Sequence, residues 1–404
     1  MHFKNPIAGL AMLLLVATGC SGGSPQVVSD AGAQVSARPQ VSSEIATADI
    51  AGLGMKVLWS YHHPAAIDQA FISGGNLYVV SSSADHRHLL IKVDGDSGLP
   101  QWTYPLERSM EFTPAVFRYG DQLSEAYPDE FFFVENGRVI CLDDRFGAKN
   151  YHIDCSFPVS SSPTVSQERL FLGGWNKRVY GIGKGDRLVD WTYLSGDPIT
   201  AAPLTSGIKV YVGSEDGSVY ALIQAAGYQQ ERSWVFKTGG RIIASPVWYL
   251  DRLFFGSTDY KVYCLEDVGN EPYVRWAYPT GAPVVDRLLA YREWIFATFE
   301  DARHEGAVET GVVALGAADG KRKWQTDGIN RALSAHEGLL HSLGSDGMLY
   351  ALRVGDGSRA WSIDVSSFSH VLGPDPSVEK DARWRARTIL VGRDGLIQAI
   401  EPRR

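Results

Sequence analysis

Short apolar runs recur in pairs along the chain, each pair divided by a small polar turn. Leu170-Phe171-Leu172-Gly173, Val210-Tyr211-Val212-Gly213 and Leu253-Phe254-Phe255-Gly256 are first members of such pairs. Val219-Tyr220-Ala221-Leu222 and Leu349-Tyr350-Ala351-Leu352 are second members, preceded by Glu215-Asp216-Gly217 and Asp346-Gly347. Runs this short and rich in aromatic and branched residues predict strands, and Asp-Gly between them predicts tight hairpins, because glycine supplies the positive φ the turn needs.

A longer period contains these hairpins. Trp59, Trp102, Tyr151, Trp191, Trp234, Trp276, Trp324 and Trp361 follow one another at gaps of 43, 49, 40, 43, 42, 48 and 37 residues, the length of four short strands and their turns. Pro114, Pro163, Pro203 and Pro246 each lie twelve residues after their aromatic, which identifies Tyr151 as a replacement for Trp. Each repeat reads as strand A at the proline, strands B and C as the hairpin, and strand D at the aromatic. Proline cannot donate to a ladder, so it suits the innermost strand of a radial blade. The last repeat has runs at residues 388–392 and 396–400 but no following Trp; Lys56-Val57-Leu58-Trp59-Ser60-Tyr61 supplies the missing strand. The expected fold is all-β, an eight-bladed β-propeller of four-stranded blades, closed by an N-terminal strand that completes the C-terminal blade and removes an open edge.

Glycine stands four residues before Trp102, Tyr151, Trp324 and Trp361, as Gly98, Gly147, Gly320 and Gly357, with Ala314-Leu315 and Ala351-Leu352 further upstream. This pattern resembles the tryptophan-docking motif of the pyrroloquinoline-quinone (PQQ) type propellers, over about residues 46–404. The resemblance implies that each aromatic packs between adjacent blades. The Gly-His and Trp-Asp signature of WD40 repeats is absent, and kelch repeats are longer.

The N-terminus has a different composition. Lys4, an apolar stretch from Ile7 to Val16 and Ala17-Thr18-Gly19-Cys20 read as a signal peptide, and the stretch is too short to span a bilayer. The segment resembles a lipobox, which implies cleavage before Cys20 and acylation of that residue. Residues 1–19 are thus expected to be a lipoprotein signal peptide, 20–45 a lipid-anchored flexible linker and 46–404 the propeller. Cys141, Cys155 and Cys264 remain, and an odd number cannot all pair within one chain; Cys141 and Cys264 are expected to be small buried hydrophobes. A Cys141–Cys155 bridge stays open. With 38 Lys and Arg against 46 Asp and Glu, the net charge of −8 disfavours nucleic acid.

Catalysis has little to build on. PQQ-dependent dehydrogenases stack their quinone on adjacent cysteines, and no two cysteines are adjacent here. Asp216, Asp259, Asp346 and Asp394 recur at equivalent turns, which marks them as turn formers. His62-His63 and His86/His88 lack a third ligand at metal spacing, and no nucleophile-elbow pattern occurs. The expectation is therefore no catalytic, cofactor or metal residues, and a monomeric scaffold with a protein partner in the cell envelope. An eight-bladed propeller behind a lipobox is similar to the BamB family, lipoprotein subunits of the outer-membrane β-barrel assembly machinery. That resemblance implies an outer-membrane anchor, a periplasmic body and docking on the central barrel protein. An envelope propeller unrelated to barrel assembly and a PQQ-dependent dehydrogenase are the alternatives, and without an outer membrane the protein would be a cell-membrane lipoprotein. Insertions at residues 118–130, 300–310 and 373–386 offer binding loops. The last holds Arg383, Trp384 and Arg385, an aromatic-plus-Arg composition favoured at interface hot spots, with a Trp that covers the propeller face as the other reading.

Overall fold

The computed structural model describes Ile45 and residues 50–403, apart from 74, 121–127, 225–231, 305–306, 375–383 and 385; at 301–304 and 307–309 it describes the backbone alone. Within the compact unit Ser43–Arg404, the strands form eight four-stranded antiparallel sheets. Blades 1 to 7 follow in chain order, their B–C hairpins beginning at Asn76, Glu130, Arg169, Lys209, Arg252, Trp294 and Leu339. Blade 8 takes strands A to C from Phe368–Leu372, Thr388–Gly392 and Leu396–Pro402 and strand D from Met55–His62. The N-terminal strand closes the ring as the spare-strand pattern requires, pairing antiparallel with Leu396–Pro402.

One cross-strand row repeats from blade to blade. An aromatic on strand B lies opposite a small residue on strand C, which lies opposite the periodic aromatic on strand D. Phe171–Gly181–Trp191, Tyr211–Ala221–Trp234, Phe254–Cys264–Trp276 and Phe296–Ala314–Trp324 are the plain cases. The B and D rings stand 5.5–5.8 Å apart across the small residue. A Cβ on Gly181 would lie 2.5 Å from the Trp191 ring, so the middle position must be small. The C–D register shifts next to the periodic aromatic in all eight blades, a bulge that re-aims the ring.

That aim is toward the next blade. Trp59, Trp102, Trp276 and Trp324 donate their Nε1 hydrogens to the carbonyls of Gly95, Asp144, Ala317 and Val354, each at the end of strand C of the following blade. The same rings lie over Gly98, Gly147, Gly320 and Gly357, where a Cβ would come within 2.4–2.6 Å. These glycines have φ of 64–73°, so both the turn and the ring exclude a side chain. The spacing of Gly four residues before the aromatic thus records a seat for the preceding blade's Trp. Strand A is only two or three residues long in blades 2 to 5, and the four periodic prolines directly precede it.

Candidate docking surface

The structure places the eight periodic aromatics as inter-blade struts. Trp59, Trp102, Trp191, Trp234, Trp276 and Trp324 are buried, and Tyr151 and Trp361 are partly buried. Cys20 and the signal and linker segments lie outside the described residues, except that Ile45, at the end of the expected linker, is buried and pairs its backbone N–H with Gln398 Oε1 at 2.9 Å. Arg383 and Arg385 also lie outside them.

Trp384 corrects the expectation of an exposed hot spot, because it is 3% exposed and packed in the core between blades 8 and 1. Its indole covers Gly75 and Gly95, and a Cβ on Gly95 would fall 1.4 Å from it. Arg387, also buried, donates to the Gly95 carbonyl at 2.8 Å and pairs with Asp96 at 2.7 Å and Glu401 at 3.4 Å. Gly95 O thereby accepts from both Trp59 and Arg387. The end of the blade-eight insertion clamps the closing junction, so its aromatic and the nearby Arg387 are consumed within the chain.

Other groups with chemical potential are also engaged. Cys141, Cys155 and Cys264 are unpaired; burial pushes the Cys141 and Cys264 thiols up to about 12 and Cys155 up to about 11, which removes thiolate reactivity at neutral pH. Asp216, Asp259 and Asp346 each accept from the Tyr four residues on, at 2.5, 2.6 and 2.5 Å. The hydrogen bond from Tyr350 holds the Asp346 carboxyl below its usual range, so this turn favours the ionised acceptor. Among the described residues no group of three or more His, Cys, Asp or Glu is arranged to hold a metal ion.

Exposed apolar side chains stand on the outer strands D, as Val189, Val235, Tyr273 and Val274, and on the two rims. In a meander, the B–C turns and the D–A connections share one rim, and the A–B and C–D turns share the other. On the B–C rim, Trp175 in blade 3 and Tyr260 in blade 5 are 56% and 46% exposed. Tyr260 has φ 67°, in a slot that holds Gly217, Gly347 and Gly395 in blades 4, 7 and 8 and Lys177, with φ 66°, in blade 3. A bulky residue there is strained where glycine is free. The opposite rim carries mainly aliphatic tips, Leu99, Leu188, Ile208, Leu250 and Val268, with Phe146 among them. The insertion at 300–310 is not a loose loop: strands Trp294–His304 and Ala307–Gly316 continue as one hairpin that projects past strands A and D.

Eight radial blades, a B–C–D aromatic row and Trp seated on the next blade's glycine define a PQQ-like β-propeller. Residues 109–298 match the family model described as outer membrane protein assembly factor BamB, and the chain is a PQQ-like propeller resembling BamB. BamB from Moraxella catarrhalis superposes with a TM-score of 0.62 at 14% identity, covering 86% of this chain and 97% of that one. A quinohemoprotein alcohol dehydrogenase from Comamonas testosteroni gives 0.60 at 11% identity, over 90% of this chain and 78% of that one. The computationally designed Ika8 protein gives 0.59 at 13%, over 85% and 99%. At such identities the likeness is one of fold. No curated protein sequence matches the chain significantly.

Proposed function

We propose that the chain is a non-enzymatic, lipid-anchored scaffold in the periplasm that assists β-barrel insertion into the outer membrane, docking its partner on the B–C rim of blades 3 to 5. The family match over residues 109–298 and the lipobox at Cys20 support the setting. The observation that carries the docking rim is Tyr260, an exposed aromatic held at positive φ in a slot that is glycine in blades 4, 7 and 8 and Lys177, at φ 66°, in blade 3. Trp175 on the same rim makes a second anchor of the kind that dominates interfaces.

The test is capture of partners from envelope extracts of the source cells by the lipidated protein, with mass spectrometric identification. Tyr260→Gly should stabilise the fold by about 0.5–1 kcal/mol, since it relieves the left-handed backbone. The same change, with Trp175→Ala, should cut capture of a barrel-assembly protein about tenfold. Capture lost on Ile208→Asp and Leu250→Gly but retained in the Tyr260 and Trp175 variants would move docking to the other rim. A partner unrelated to barrel assembly would leave an envelope interaction propeller, and a quinone in the purified protein would favour the dehydrogenase alternative.

A further inference from the structure

We propose that the rim formed by the A–B and C–D turns of blades 1 to 5 rests on a phospholipid bilayer, with single apolar side chains inserted among the headgroups. Leu99, Phe146, Leu188 and Val268 stand on C–D turns, Ile208 and Leu250 on A–B turns, and each is 58–71% exposed. Blades 6 and 7 fill the matching positions with polar residues. Lys321 and Ser358 hold the place of Leu99 and Leu188, and Asp319 and Asp356 that of Phe146. Their A–B turns read Arg292-Glu293 and Glu337-Gly338, where blades 4 and 5 have Gly207-Ile208 and Leu250-Asp251. The turns themselves do not call for apolar residues, and exposed apolar groups gathered on one face mark an interaction surface.

A lipid surface fits this rim better than a protein does. All the tips but Phe146 are aliphatic, whereas Trp, Tyr and Arg dominate protein interfaces and Leu and Val are under-represented there. They stand singly on separate turns, so a rigid partner would need a hollow for each, while a fluid headgroup layer admits them all. The N-terminal chain also joins the propeller from this rim: the turn at residues 50–54 leads into Met55 at the C–D end of blade 8, and Arg403 donates its N–H to Gly54 O at 2.7 Å. From Cys20 to Ile45 the chain advances 25 residues, a reach of at most about 90 Å. An acyl group on Cys20 would keep the rim near the bilayer, at an effective concentration where weak contacts count. That step rests on the lipid anchor proposed above; the composition of the rim does not. Glu168, Asp186, Asp251 and Glu271 are exposed beside the tips together with Arg145 and Arg187, so attachment comes from apolar insertion and not from attraction to anionic headgroups. The B–C rim, with Trp175 and Tyr260, is then turned away from the membrane and toward its partner.

The experiment is co-sedimentation with phosphatidylcholine vesicles of the chain from residue 20 onward, carrying Cys20→Ser so that no acyl group contributes. The chain should bind, with little change on adding salt, and binding should fall by about tenfold or more in the Phe146→Ser/Leu188→Ser/Ile208→Asn variant. Tyr260→Gly/Trp175→Ala, on the opposite rim, should alter it by less than about twofold. These exchanges are on exposed turn residues, and unchanged melting curves will show that folding is intact. Absence of binding by the chain with its rim unaltered overturns the proposal without recourse to any rim variant. So would equal losses in the two variants, or binding that needs anionic lipid and disappears in salt. A dimer that the triple variant breaks, with no vesicle binding, would assign the rim to a second copy of the chain and overturn it as well. An unmodified Cys20 in the native protein, read by mass spectrometry, would remove the anchor while vesicle binding still upholds the rim.

Discussion

Blades 6 and 7 build the same row from different parts. In blade 6, Phe296, Ala314 and Trp324 cross strands B, C and D, with rings 5.8 Å apart. In blade 7 the row is His341, Ala351 and Trp361, with rings 5.4 Å apart. Trp324 sits on Gly357 and bonds to Val354 O, but Trp361 faces blade 8, whose outer strand is the N-terminal segment. It packs instead against the cluster that includes Ile45, Ile50 and Met55. The ring can thus be closed without a glycine seat, and the strand-B position tolerates an ionisable ring provided it stays neutral. His341 is fully buried, with Ser334 Oγ and Thr388 Oγ1 both 3.4 Å from Nδ1.

The largest difference should appear on truncating the two tryptophans. Trp324→Ala removes a buried ring, its hydrogen bond and its fit over Gly357, and should cost about 3–5 kcal/mol. Trp361→Ala removes a half-buried ring and should cost about 2 kcal/mol. Chemical denaturation of both variants checks this. Equal losses would mean that the N-terminal cluster seats its Trp as firmly as a glycine turn does.

Acid should separate the same two blades. Burial, reinforced by nearby His336, lowers the His341 pKa to about 4 from its usual 6.5. Between those values the unfolded chain takes up a proton that the folded chain refuses. The contribution of neutral His341 is complete above pH 6.5 and is lost as pH falls toward 4, by about 3 kcal/mol in all. His341→Phe, which copies the residue at this place in blade 6, should flatten that part of the stability–pH curve. An unchanged slope in the variant would assign the acid loss to other groups.

Much of this was legible because a repeat exposes its own exceptions. Trp, Gly and Pro at fixed offsets marked the blades, and the spare run at 56–61 marked the closure, since each residue type answers a constraint inside its own repeat. Trp384 was not legible. Its burial depends on Gly75 and Gly95, and Arg387 reaches a carbonyl 292 residues away, a contact no local pattern encodes. Tyr260 and His341 could have been found by aligning repeats, where they stand in slots that are mostly glycine and mostly aromatic.

The smallest expected effect concerns the one strut that is not tryptophan. Tyr151 of blade 2 faces blade 3, where the seat is Arg187 with φ 64° in place of glycine. The guanidinium lies 4.6 Å from the Tyr151 ring centre. In the glycine seats Trp occupies the space a Cβ would need, so an Arg seat excludes the larger ring, and the smaller phenol accepts a cation on its face instead. Tyr151→Trp should then destabilise by about 1 kcal/mol through overpacking. Arg187→Gly alone should be nearly neutral, because a lost cation–π contact of about 0.5–1 kcal/mol offsets relief of the left-handed backbone. Together they should recover the Trp-on-Gly arrangement of blade 6, with a coupling of about 1 kcal/mol in a double-mutant cycle. Additive effects would show that strut and seat were exchanged independently, and the arginine seat would then no longer account for a tyrosine in that place.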